Sequence, residues 1–129
     1  MAEERETALV LVVDDQRDIL GLIRLRLEQA GYEVSTATDG ERALELVKSL
    51  RPNLVVLDVM LPIIDGREVT RRIRADARTA GIPVLLVSAS VHEDEVQEGL
   101  DAGADDYLPK PFTADVLRER VQALLEGAP

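Results

Sequence analysis

The chain has no cysteine, which rules out a disulfide framework and a thiolate metal site and fits a reducing cytoplasm. No apolar run approaches the roughly 20 residues of a membrane span. Met1 to Thr7 is polar and acidic, so no signal peptide is expected there. Positive charge is scarce: 15 Lys and Arg stand against 25 Asp and Glu, a formal net charge of −10. Binding a phosphate backbone needs the opposite surplus, so direct nucleic-acid binding is not expected. The stretch Arg67, Arg71, Arg72 and Arg74 reads as a solvated helix face. Histidine occurs once, at His92, and no glycine-rich nucleotide loop, internal repeat or low-complexity tract is present. His92 reads as a surface residue, so phosphate chemistry here must draw its phosphate from another molecule.

Four short apolar runs each stop on a residue that can handle a phosphate. Leu9 to Val13 runs into Asp14-Asp15, and Leu54 to Leu57 runs into Asp58. Val84 to Val87 ends on Ser88, and Tyr107-Leu108-Pro109 ends on Lys110. Strands that apolar are buried on both faces, as in a parallel sheet covered by helices. In such sheets ligands bind at the carboxyl ends of the strands. Three carboxylates, a hydroxyl and an ammonium would then meet on one sheet edge, a set suited to a magnesium ion and a phosphoryl group. Taken singly, each has a plain structural reading: a strand-end turn for Asp14-Asp15, a helix cap for Ser88 to Ser90, a surface charge for Lys110. Four strand ends at once argue against coincidence.

The periodicity predicts strands at 8–13, 32–37, 54–58, 83–88 and 105–108, with helices at 17–30, 39–50, 66–75, 91–102 and 113–126. Strict alternation with short connections implies right-handed crossovers and an α/β fold with a parallel sheet. Leu20, Ile23, Leu27 and Ala30 form one apolar stripe, and Leu117, Val121, Leu124 and Leu125 another. Gly31 stands where a left-handed helix cap is wanted. Thr38 to Glu41 and Ser90 to Glu93 read as capping boxes, and Gly99 interrupts a helix interior. At 129 residues the chain suffices for one domain, expected over 8–126. Residues 1–7 then form an N-terminal tail, and 127–129 a C-terminal tail or the start of a linker.

Together these pieces resemble the receiver domain of bacterial response regulators over about residues 8–125. The resemblance is carried by Val12-Val13-Asp14-Asp15, Leu57 to Pro62 with Asp65-Gly66, Val87-Ser88-Ala89, and Gly103 to Phe112. It implies a doubly wound, flavodoxin-like (βα)5 domain with strand order 2-1-3-4-5. That order comes from the family, itself a standard example of the switch-point rule, and not from the periodicity. The resemblance also implies that Asp58 takes a phosphoryl group from a partner histidine kinase or histidine phosphotransfer protein. Asp15 is implied as a direct Mg²⁺ ligand, Asp14 as a ligand through water, and the backbone carbonyl of Met60 as a further ligand. Ser88 and Lys110 would grip the phosphoryl oxygens, Tyr107 would act as the aromatic switch, and the Lys110–Pro111 bond would be cis. The protein would be a cytoplasmic switch rather than an enzyme with a separate substrate. Its output face would be the predicted helix 91–102, strand 105–108 and helix 113–126.

The chemistry suits these residue types. Phosphoryl transfer asks mainly for positioning and charge neutralisation, and carboxylates are established nucleophiles for it. Mg²⁺ takes oxygen ligands, often one or two carboxylates plus phosphate oxygens. Carboxylates about 4 Å apart repel by roughly 1–4 kcal/mol per pair, which a cation would relieve. The second positions after Asp58 and Ser88 are Met60 and Ser90, neither a carboxylate nor an amide, and Ser90 reads as a helix cap. Slow loss of the phosphoryl group is therefore expected.

Departures from the family pattern are few. Ile63-Ile64 stands where many relatives carry Gly and then an apolar residue, which leaves the shape of that loop open. Ser88 replaces the commoner threonine, a variant the family accepts. Asp105, Asp106 and Arg120 match the surface through which DNA-binding winged-helix relatives pair. Val96, Gln97 and Glu98 stand where a basic partner would be needed, so pairing in that manner is not expected. Asp105-Asp106 otherwise reads as solvated surface. The long Ala75–Ile82 connection leans toward stand-alone, cyclase-linked or hybrid-kinase receivers. A phosphohydrolase of the haloacid dehalogenase type would need an acidic residue where Met60 stands. A pseudo-receiver would lack Asp58 or Lys110.

Overall fold

All five predicted β-α units form. The computed structural model describes residues 7–127, so the expected tails at 1–7 and 127–129 lie largely outside the described residues. In chain order the elements are β1 (Leu9–Val13), α1 (Arg17–Gln29), β2 (Glu33–Ala37), α2 (Gly40–Leu50), β3 (Leu54–Asp58), α3 (Gly66–Ala75), β4 (Val84–Ser88), α4 (Glu93–Asp101), β5 (Asp106–Pro109) and α5 (Ala114–Leu125). The strands pair in parallel in the order β2-β1-β3-β4-β5, the doubly wound flavodoxin-like arrangement.

The apolar runs are buried because successive side chains serve two cores. Val10, Val12, Leu54, Val56, Leu85 and Val87 point to one face and pack with Leu20, Ile23 and Leu27 of α1 and Leu117 and Val121 of α5. Leu11, Val13, Val55, Leu57, Val84 and Leu86 point to the other, with Ala43 and Val47 of α2 and Val69 and Ile73 of α3. β1, β3 and β4 are buried along their whole length. This two-sided burial explains why their sequences run apolar without alternation.

The helix ends differ in detail from expectation. Ala30 is exposed, because α1 closes before it and Gly31 turns away at φ +100°. The cap of α2 is Asp39, not Thr38, and its carboxylate accepts from the Arg42 amide at 2.8 Å. Ser90 does not cap α4. The helix starts only at Glu93, behind His92, whose side chain makes no cap bond. The Ser90 hydroxyl instead accepts from the His92 amide at 3.3 Å, within the loop. The acidic first turn, Glu93, Asp94 and Glu95, suits the positive end of the helix in place of a cap.

The arginine stretch divides between solvent and the fold. Arg71 and Arg72 are solvated and pair with Glu68. Arg74 is folded in: its guanidinium donates to the carbonyls of Gly103, Ala80 and Ile82 and to Asp105 Oδ2. Asp105 Oδ2 also accepts from the Val84 amide at 2.8 Å, and Asp106 pairs with Arg120 at 3.1 Å. Asp105 is exposed, as its surface reading expects, and Asp106 is half-buried, and both have partners within the chain.

Candidate functional site

The register carries Val13 beside Leu57, Asp58 beside Val87 and Ser88 beside Pro109. The residues that follow or finish these strands therefore line one sheet edge. Asp14 sits one step beyond β1 and is 2 % exposed, Asp58 ends β3 at 7 %, and Ser88 ends β4 at 3 %. Asp15 is exposed. Carboxylate oxygens of Asp14, Asp15 and Asp58 lie within 4.8 Å of one another, brought there from two non-adjacent stretches of sequence.

Lys110 ties this cluster to β5. Its Nζ donates to Asp14 Oδ2 and to Asp58 Oδ2, each at 3.0 Å. The following peptide, Lys110–Pro111, is cis, as the resemblance implies. The second oxygens of the buried pair are also held. Asp14 Oδ1 accepts from the Gln16 amide at 2.9 Å, and Asp58 Oδ1 from the Met60 amide at 3.0 Å.

Burial pushes the Asp58 carboxyl above the ordinary carboxylate range, against the pull of the Met60 amide and of Lys110, while the charge on Asp14 adds to the upward push. Burial pulls Lys110 down, yet its hydrogen bonds to Asp14 and Asp58 outweigh this and hold its ammonium above the ordinary lysine value. One cation thus faces three carboxylates. The donor set is all oxygen, clustered and negative in excess, which fits a hard divalent cation.

Glycines decide how close the neighbouring elements come. A Cβ on Gly66 would stand 2.4 Å from the Asp58 carbonyl oxygen, so only glycine lets α3 start against the end of β3. Asp65 caps that helix, accepting from the Glu68 amide at 3.0 Å. In the sequence Asp65-Gly66 stands only as a piece of the family resemblance; its cap and its contact with Asp58 appear in the structure.

On the far side, the Ser88 hydroxyl accepts from the Ser90 amide at 3.1 Å. Tyr107 is 8 % exposed, and its hydroxyl donates to the Ser90 carbonyl at 3.2 Å. A cavity of about 490 Å³ opens beside the cluster, lined among others by Met60, Ser88, Tyr107, His92 and Arg67. His92 is exposed. Sequence reasoning missed Arg67, which pairs with Glu98 and so ties α3 to α4. No local pattern links those two residues.

The chain matches the model of the response regulator receiver domain over residues 10–122. It belongs to the response regulator receiver domain family. This receiver domain is 46 % identical over 116 residues to the DNA-binding dual master transcriptional regulator RpaA of Synechocystis sp., covering 90 % of this chain and 48 % of that protein. It is 48 % identical over 116 residues to the response regulator MprA of Mycolicibacterium vanbaalenii, covering 90 % of this chain and 49 % of that one. The chain thus spans about half the length of these curated relatives. Among solved structures, the Francisella response regulator 1452 receiver domain superposes with a TM-score of 0.87 at 35 % identity, covering 93 % of this chain and 98 % of that one. Response regulators are signalling proteins of two-component systems. Among the described residues no helix is long and apolar enough to cross a membrane.

Proposed function

We propose that this receiver domain, spanning 8–126, accepts a phosphoryl group on Asp58 from a histidine kinase or histidine phosphotransfer protein in the cytoplasm. The observation that carries this reading is the Lys110 ammonium, 3.0 Å from an oxygen of Asp58 and 3.0 Å from one of Asp14 at the strand ends. In the transfer, the N–P bond of the donor breaks as an O–P bond forms to an Asp58 carboxylate oxygen. The imidazole nitrogen leaves with the electron pair. Lys110 orients the nucleophile and offsets the charge that arrives, and the Ser88 hydroxyl stands ready to take a phosphoryl oxygen. Asp14, Asp15, Asp58 and the Met60 backbone carbonyl would hold Mg²⁺, which when bound neutralises charge on the phosphoryl oxygens.

Ser88 and Tyr107 then carry the state of the site to the output face of α4, β5 and α5. A partner protein or a fused output domain would read it there. The domain itself binds no nucleic acid and catalyses only its own phosphorylation and a slow dephosphorylation. Met60 and Ser90 offer no carboxylate or amide to orient an attacking water. Ser90 acts here through its loop hydrogen bonds and not as a helix cap.

Intact-mass spectrometry after incubation with acetyl phosphate and Mg²⁺ tests the assignment. One added phosphoryl group is expected, absent from Asp58→Asn. Undiminished phosphate in that variant would refute it.

A further inference from the structure

Within α4, Gly99 is the one buried residue. Its backbone is helical and carries no positive φ, so conformation does not require glycine, and glycine is a poor helix former. Space requires it. A Cβ there would stand 2.9 Å from Leu86 Cδ1, 3.2 Å from Tyr107 Cδ2 and 3.4 Å from Tyr107 Cε2. Leu86 is fully buried in the core between β4 and its helices. The Tyr107 ring is held at its tip by one 3.2 Å hydrogen bond to Ser90 and borders the cavity of about 490 Å³ that also reaches Ser88. Of the two neighbours, the ring has the room to give.

We propose that Gly99 is a positioning residue for Tyr107. By presenting no side chain, it lets the ring lie under α4 with its hydroxyl on the Ser90 carbonyl. The glycine therefore acts by close approach and not by making the helix pliable. The inference rests on the proposed function in one respect: it takes Tyr107 as the group that answers to the phosphoryl site. A ligand can shift such an equilibrium only by its differential affinity for the two ring positions. A side chain at 99 that disfavours the buried ring should in turn weaken whatever ligand favours it.

The direct test uses tyrosine-labelled protein without metal or phosphodonor. The chain has two tyrosines, Tyr32 and Tyr107, and no tryptophan. Tyr107→Phe therefore assigns the ring signals. In Gly99→Ala the Tyr107 resonances should move while those of Tyr32 stay. Unmoved Tyr107 signals in the folded variant would overturn the proposal. If Gly99→Ala folds poorly, Leu86→Val/Gly99→Ala relieves the leucine contact, keeps the ring contact, and is held to the same expectation.

A second arm measures the affinity of Mg²⁺-loaded protein for beryllofluoride, a phosphoryl mimic. Gly99→Ala should weaken it about fivefold or more. In a Tyr107→Leu background, where there is no ring to displace, adding Gly99→Ala should change it less than about twofold. An equal loss in both backgrounds would show that the helix and not the ring carries the effect, against the proposal. If wild type neither binds beryllofluoride nor gains phosphate, the proposed function fails, and the tyrosine spectrum still decides the role of Gly99.

Discussion

At the scale of single residues, Ile63 shows what a departure from the family pattern does to a backbone. The loop keeps the conformation that a glycine would take there, with Ile63 at φ +74°. The Ile64 amide donates to the Pro62 carbonyl at 2.8 Å, closing a three-residue γ-turn of the rare and strained hand. A β-branched residue in that region costs about 1–3 kcal/mol. The Ile63 side chain is 69 % exposed and recovers little of this by burial. Its neighbours impose the shape: Gly40 approaches so closely that a Cβ would stand 2.3 Å from the Ile64 carbonyl oxygen. Ile63→Gly should therefore stabilise the protein by about 0.5–1 kcal/mol, less than the strain released because glycine frees the unfolded chain. A urea titration should show a higher midpoint at unchanged slope. A lower midpoint would mean that the turn is not strained.

At the scale of elements, the joint between α3 and the α4–β5 turn depends on Arg74. One guanidinium satisfies Gly103, Ala80 and Ile82 carbonyls and pairs with Asp105, which in turn holds the first amide of β4. Gly103 ends α4 at φ +116°, with room for a Cβ denied by the Arg74 chain at 2.7 Å. Nothing local distinguishes Arg74 from Arg71 and Arg72, so the sequence shows four arginines on a helix. Only the packing of α3 beside β4 sorts the half-buried clamp from its solvated neighbours. Arg74→Ala should destabilise by about 2–4 kcal/mol, because partly buried carbonyls and the Asp105 carboxylate lose their donor. Arg74→Lys should recover only part of this, since an ammonium has no fork. Arg71→Ala should move the denaturation midpoint little. Equal effects at 71 and 74 would remove the distinction.

At the scale of the whole molecule, the fold buries one carboxyl, Asp58, whose ionisation works against stability. Burial raises the Asp58 carboxyl above its ordinary value, so the folded state holds that proton more tightly than the unfolded one. Such a group adds stability below the ordinary carboxylate range. The contribution is lost as pH rises through the raised folded value, leaving a cost at neutral pH. Metal-free Asp58→Asn should therefore melt higher than wild type at pH 7. The gap should close as pH falls below the carboxylate range. Mg²⁺ at ten times its Kd should add about 1.4 kcal/mol to wild type and distinctly less to the variant. A variant that melts lower than metal-free wild type would contradict the strain, and equal Mg²⁺ responses would remove Asp58 from the ligand set.

The apolar runs and their alternation with helices determined by themselves that this chain is an α/β domain with a parallel sheet. A strand buried on both faces leaves an unmistakable composition. The same runs marked Asp14, Asp15, Asp58, Ser88 and Lys110 as strand-end residues, and the motifs around them carried the family. Helix ends were less legible: Thr38 and Ser90 read as caps and Ala30 as a last residue, of helices that begin later or end sooner. A cap depends on which residue the neighbouring loop leaves free, as Ser90 shows by serving Tyr107 and His92. Tertiary structure alone decided that Lys110 bridges Asp14 and Asp58, that Gly66 and Gly99 are sites of close approach, and that Arg67 and Arg74 join α3 to the region of α4. These side-chain contacts link residues 29 to 96 positions apart in the chain, and the glycine contacts lie between packed surfaces. Local pattern specifies periodicity and turns, whereas such contacts exist only once the sheet has set the distances between its helices.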